Sequence, residues 1–302
     1  MASILSQSKK LATALPLAAL ALCGCSPERS AKDTHNPKQH LSAPATSRCV
    51  GSQHPDAVQR TFSAIPQHTP QSVHGRWQNV LEGVGEELNI CFKIEHSNNI
   101  KSFANKLQSQ ELDYAYIDPF QLITNKDRYI PLLRDKDSTL RGIIVAKKDS
   151  EINSLADLDG KMLLLPSPNS FGSSLLTRDA LRGKGITPQI KYVHHCNNVF
   201  RGVLKYPETG GGAINILLQT ESDEIQSELK TIYQTEAYSP HPIVASAKIS
   251  TKERQSFQQE LIKISKDNDL KKAFGMNPVP ANYETDYKAI EQLNLQTLAS
   301  QT

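Results

Sequence analysis

TFSAIPQHTPQSVHGRWQNVLEGVGEELNICFKIEHSNNIKSFANKLQSQELDYAYI, residues 61–117, switches repeatedly between two apolar periods. TFSAIP (61–66) reads as a strand. Val73, Trp77, Val80, Leu81, Val84 and Leu88 then recur at helical spacing, with Pro70 as a start signal. ICFKIE (90–95) is a second strand. Ile100, Phe103, Ala104 and Leu107 mark a second helix, and DYAYI (113–117) a third strand. This β-α-β-α-β order predicts a mostly parallel sheet covered by helices on both faces.

The alternation continues toward the C-terminus. Extended runs are expected at 142–148, 162–165, 189–193, 213–218 and 242–246. A short helix and turn is expected at 154–161, and longer helices at 170–184, 251–265 and 283–298. Two successive α/β units with a helical return predict an α/β fold of two Rossmann-like lobes with a ligand cleft between them. Residues 59–142 plus 243–302 would form the first lobe and 143–242 the second, with crossings near 142–148 and 238–246. In open α/β sheets a ligand sits beyond the carboxyl ends of the strands.

At the N-terminus, Lys9 and Lys10 precede an apolar stretch from Leu11 to Leu22. About a dozen residues suit the h-region of a signal peptide, whereas a transmembrane helix needs about 20. Leu22-Cys23-Gly24-Cys25 resembles the bacterial lipobox. That resemblance implies a signal peptide of residues 1–24 and diacylglycerol on Cys25; an ordinary secretory signal is the alternative. Residues 25–58 are rich in Ser, Pro, His and Lys, with few large apolar side chains, and read as a flexible tether.

The 302 residues carry 34 basic and 31 acidic side chains, a net charge of +3. Basic residues are well mixed with acidic ones, so no nucleic-acid footprint is present. Five cysteines occur. Once Cys23 leaves and Cys25 is lipidated, Cys49, Cys91 and Cys196 allow at most one disulfide. Cys91, inside an apolar strand pattern, is expected to be a buried thiol; pairing of Cys49 with Cys196 stays open.

Pro166 and Pro168 end a strand, and Asn169 and Ser170 are good caps for the helix after them. With Gly172 and Ser173 in its first turn, free N–H groups, hydroxyls and the helix dipole make an anion site, or merely a capped helix. Asp118 and Phe120 follow a strand, so both are candidates to face the cleft. Asp118 would accept a hydrogen bond from a protonated phosphoryl oxygen or from a ligand amine, or it simply forms a turn before Pro119. Tyr114 and Tyr116 share one strand face and read as packing. His194, His195 and Cys196 are neighbours on extended chain and point in alternate directions, which suits no single metal. Asn198 is a candidate cap for a following helix. Gly210, Gly211 and Gly212 precede a predicted strand, unlike a dinucleotide fingerprint, which links strand to helix. No Gly-x-Ser-x-Gly elbow occurs, and neither an enzyme, a metal nor a cofactor is expected.

Four segments in order carry a family resemblance: LDYAYIDPFQLI (112–123), SLADLDGK (154–161) with LLLPSPNSFGSSLL (163–176), HHCNNVFRGV (194–203) and GGGAINIL (210–217). Together they resemble the phosphate/phosphonate/phosphite-binding family of ABC-transporter solute-binding proteins. The resemblance implies the type II periplasmic-binding-protein fold and a small oxyanion ligand. It also implies a ligand-contacting His near His194 or His195, with Cys196 and Asn197 at contact positions. Where the family often carries Ser-Thr-Ser-Gly, this chain has Asn169-Ser170-Phe171-Gly172. A hydroxyl is lost and a ring gained, which weakens the case for tight inorganic-phosphate binding. The expected ligand contacts are therefore Asp118, Phe120, Asn169, Ser170, Gly172, Ser173, His195, Cys196 and Asn197. The expected role is a lipid-anchored extracytoplasmic protein that hands its ligand to an ABC-transporter permease. The alternative is a lipoprotein that presents its bound state to a membrane sensor; an enzyme on the same fold is a third class.

Overall fold

The computed structural model describes residues 49–67, 70–266, 275–293 and 295–300. The proposed signal peptide, Cys25 and most of the tether lie outside the described residues. Two sheets organise the rest.

The first sheet gathers β1 (Val50–Gly51), β2 (Val58–Ala64), β3 (Ile90–Glu95), β4 (Tyr114–Tyr116), β5 (Tyr129–Asp135), β11 (Ile243–Ser246) and β12 (Pro278–Pro280), in the order β1-β3-β2-β4-β11-β5-β12. β2 runs parallel to β3 and β4, as the alternating pattern predicts. β11 runs antiparallel to both β4 and β5, so the sheet is mixed. The helix α1 (Pro70–Leu88) buries Val73, Trp77, Val80, Leu81 and Val84 with Phe62, Phe92 and Phe257. That is the stripe read from its periodicity.

The second sheet contains β6 (Gly142–Lys147), β7 (Met162–Leu165), β8 (Gln189–Tyr192), β9 (Thr209–Ile214) and β10 (Leu229–Gln234), in the order β10-β6-β9-β7-β8. The chain passes between the sheets through residues 136–141 and 235–242. Residues 142–148, expected at a crossing, are instead mostly β6. The two passing segments bond each other reciprocally: Leu140 N donates to Tyr238 O and Tyr238 N to Leu140 O, each at 2.9 Å.

Three expectations need correction. Cys91 is buried but is no thiol: it is joined to Cys49 in a disulfide, with Cα atoms 5.4 Å apart. The two-residue strand β1, paired through Gly51 with Cys91, brings the cysteines together inside the stretch expected to be tether. The strand expected at 213–218 lies earlier, because the three glycines are themselves strand, and residues Asn215–Gln219 form a short helix, α6. A Cβ at Gly212 would overlap Leu165 and the Ser173 carbonyl, so only glycine lets β9 lie this close to its neighbours. The C-terminal helix is broken into a wide turn (Tyr283–Tyr287), a 3₁₀ segment (Lys288–Leu293) and a last helix (Gln296–Ser300). Among the described residues no helix is long and apolar enough to cross a membrane.

Candidate functional site

The carboxyl end of β7 delivers the chain to Ser170, which has extended backbone and starts a wide turn, Phe171–Leu176, continuing into α4 (Thr177–Gly183). Ser170 is buried and its hydroxyl caps nothing. The first N–H of the turn, that of Phe171, donates to Asp118 Oδ2 at 3.3 Å. A carboxylate of the protein's own therefore stands where an oxyanion was expected. Gly172 is closed in by Ile214 and Leu140, which a Cβ would overlap.

Asp118 serves both ends of a short connection. It is the N-cap of α3 (Pro119–Thr124): Oδ1 accepts from Gln121 N at 2.8 Å, and Asp118 N donates to Gln121 Oε1 at 3.2 Å. Pro119 occupies the first helical position, where a missing N–H costs nothing. Asp118 is 1% exposed. Burial pushes its carboxyl up to about 7, against the smaller opposing effect of the N–H donors; no charged neighbour contributes.

Ser173 Oγ lies 3.5 Å from Cys196 Sγ, both fully enclosed. Burial raises that thiol to about 11, so it stays neutral. Cys196 opens α5 (Cys196–Lys205), and His195 stands at its N-cap position without a side-chain cap bond. His195 Nδ1 is buried with no hydrogen-bond partner. The residue before it, His194, has φ of 70°, a left-handed backbone that is uncommon for non-glycine residues but that histidine adopts more readily than most. Asn197 O accepts from Arg201. Asn198 is not the cap but lies inside α5, donating through Nδ2 to Val193 O.

The structure thus brings Asp118 to the Phe171 turn and Ser173 to Cys196. The backbone of Phe120 is also a donor to the Asp118 carboxyl. Asn169 and Phe120 line a groove of about 590 Å³ together with Lys101, Gln121 and Pro168. Among the described residues no group of three or more His, Cys, Asp or Glu could hold a metal ion.

Between the two sheets lies a smaller cavity of about 120 Å³. Gln67, Arg76, Trp77 and Tyr116 come to it from the first sheet and its helix, Ile214 and Leu217 from the second, and His241 from the returning crossing. Trp77 packs 5.4 Å from Tyr116, which in turn stacks on His241 at 5.4 Å and 26°. His241 Nε2 is 3.0 Å from Gln67 Nε2. Burial holds the imidazole down at about 3, so it is neutral at any physiological pH. Sequence reading took Tyr116 for packing and passed over Arg76 and His241. Each is unremarkable in its own stretch, and only the fold assembles them.

The model of the family described as ABC transporter, phosphonate, periplasmic substrate-binding protein matches residues 62–295. The chain belongs to this family. Its members are extracytoplasmic transport binding proteins, and this chain is a substrate-binding protein of the phosphonate ABC-transporter type. Solved structures agree on the fold. The binding protein component of an ABC phosphonate transporter from Pseudomonas aeruginosa superposes with a TM-score of 0.71 at 14% identity, over 80% of this chain and 88% of that one. PhnD1 from Prochlorococcus marinus, in complex with methylphosphonate, gives 0.68 at 17% identity, over 79% and 98%. A Xanthomonas citri protein bound to ATP gives 0.62 at 16%, over 81% and 96%. No curated protein sequence matches the chain. The type II periplasmic-binding-protein architecture of two lobes expected from sequence is thus the observed one. Ligands as unlike as methylphosphonate and ATP occur on similar folds, so the ligand has to be read from the residues.

Proposed function

We propose that the chain is a lipid-anchored member of its family that captures a small phosphonate-, phosphite- or phosphate-like oxyanion between its lobes and passes it to an ABC-transporter permease. The observation that carries this is the cavity lined by residues of both sheets, with a cation, the exposed Arg76, on its rim. The lobes are proposed to divide at residues 59–142 plus 243–302 and 143–242, close to where the two sheets part company. A second placement, the one expected from the sequence, is the turn at Ser170, whose first N–H is taken by Asp118. There Asn169, Ser170, Gly172 and Ser173, with His195, Cys196 and Asn197 at the start of α5, would supply donors.

Mass spectrometry of ligand released from gently purified protein is expected to find an oxyanion of this class; release of a neutral sugar or a cationic amino acid would reject it. Co-purification with a permease, against co-purification with a membrane signalling protein, separates delivery from sensing. For the anchor, Cys25→Ala is expected to abolish incorporation of a labelled lipid precursor, because Cys25 alone carries a thiol at the lipobox position. Undiminished labelling of the variant would refute the assignment.

A further inference from the structure

Away from the crossings, two hydrogen bonds among the described residues run from one lobe to the other. Asp118 follows β4 of the first sheet, and its Oδ2 accepts from the N–H of Phe171, which follows β7 of the second, at 3.3 Å. In α4, Arg178 Nη2 donates to Leu298 O of the last helix at 3.2 Å. The chain leading to that helix is fixed to the first lobe, where Lys126 pairs with Glu291 at 2.8 Å and Arg134 with Asp286 at 3.1 Å. Between the two fastenings lies a single buried cluster. Ile117, Phe120 and Ile123 enter it from the first lobe, and Phe171, Leu175 and Ile214 from the second. The lobes are therefore shut against each other, and Asp118 is sealed where they meet.

The contacts of this carboxyl divide between the lobes. The N–H groups of Gln121 and Phe120 belong to α3 and travel with Asp118 when the lobes part. The Phe171 N–H does not. Opening removes that donor and admits water to the carboxyl. We propose that Asp118 and the Phe171 N–H form a proton-controlled latch on the lobes: the protonated carboxyl keeps them shut, and the carboxylate favours their opening.

The direction follows from linkage. Shut, the carboxyl is raised by burial from 3.8 to about 7; in water it returns toward its ordinary value. Between those values the shut form holds a proton that the open form has released. Closure is thus strongest in acid and weakens as pH rises to about 7, by up to about tenfold per pH unit. No charged side chain acts on the carboxyl, neither Lys101 on the adjoining groove, Arg178 of α4 nor His195 before α5. The titratable residues of the surrounding cluster, Tyr129, Cys196 and Tyr287, respond to burial and to other charges. One group therefore works the latch. The inference needs the two-lobed fold and no particular ligand.

The test is single-molecule energy transfer between dyes on the two lobes of the full chain, with no ligand added, at pH 5 and pH 8. Gln78→Cys in α1 and Lys191→Cys in β8 supply exposed attachment points, while Cys196 is buried and Cys49 and Cys91 are paired. In this background the ratio of open to shut molecules is expected to rise about 50- to 100-fold from pH 5 to pH 8. Asp118→Asn, which keeps the oxygen that caps α3, should abolish the pH dependence and stay as shut at pH 8 as the parent is at pH 5. Arg178→Ala removes the other fastening, so it should raise the open fraction at both pH values and leave the ratio between them unchanged. An open-to-shut ratio that is the same at both pH values in the parent and in Arg178→Ala overturns the latch. So does opening in acid, and so does a pH dependence that survives in Asp118→Asn.

Discussion

Replacing Cys49 and Cys91 together by serine is expected to destabilise the protein by about 4 kcal/mol. The disulfide closes a ring of sequence separation 42 that contains β1, β2 and the whole of α1. Cross-linking a ring of that length removes about 13 cal/mol/K of unfolded-chain entropy, or about 4 kcal/mol at 25 °C. Against a typical total stability of about 5–15 kcal/mol this is a large share. Cys49 lies half-buried just before the two-residue edge strand β1, while Cys91 is buried in β3, the next strand in, so serine is chosen as the smallest change in side-chain volume at both positions. Urea unfolding of the oxidised wild type and the double variant measures the difference. Coincident midpoints would show that the bond contributes nothing. An oxidising compartment is where such a bond forms and persists, which agrees with the extracytoplasmic location of the family.

Asp118→Asn should change not so much the stability as its dependence on pH. Burial raises the carboxyl of Asp118 in the folded protein from 3.8 to about 7. Between those values the folded state holds a proton that the unfolded chain has released. Wild-type stability from this residue is therefore complete below about pH 4 and is lost as pH rises to about 7, at about 1.4 kcal/mol per pH unit. The total is about 4 kcal/mol. Asparagine cannot titrate, but its carbonyl oxygen can still accept from Gln121 N and preserve the cap of α3. The variant should gain on wild type steadily from pH 4.5 to pH 7.5 in denaturant titrations. A difference that is the same at every pH would place the carboxyl in contact with water and refute its burial.

The two periods in residues 61–117 made α1, β3 and the parallel arrangement of β2, β3 and β4 legible, because each apolar side chain there does one job: it faces the core. Met162–Leu165 was legible for a similar reason: Leu163, Leu164 and Leu165 are all buried. What escaped had no such pattern. Val50–Gly51 becomes a strand only because β3 pairs with it and a disulfide ties it down. Gly210, Gly211 and Gly212 offer no side chains to alternate, so the strand they form is visible only once Leu158, Val199 and Leu165 are seen packed against them. The C-terminal helical pattern was right in period, yet the chain tightens and widens there and does not stay α-helical. Asp118, Ser170, Ser173 and Cys196 were picked out by local chemistry; the fold brings Asp118 to the Phe171 N–H and Ser173 to Cys196, while the Ser170 hydroxyl caps nothing. Arg76, Tyr116 and His241 come from a helix, a strand end and a crossing, and no sequence spacing links them.

The two crossings between the sheets are joined by reciprocal bonds between Leu140 and Tyr238. They behave as a single two-stranded strap, not as two independent tethers. Sliding one sheet past the other along that strap would break both bonds at once, whereas bending across it breaks neither. Shear is thereby opposed by the net strength of two hydrogen bonds, about 1–3 kcal/mol, whereas rotation about a transverse axis is not. Lengthening one crossing by a single residue would put the other out of register. The two segments, almost a hundred residues apart in the chain, are therefore constrained to keep their lengths in step.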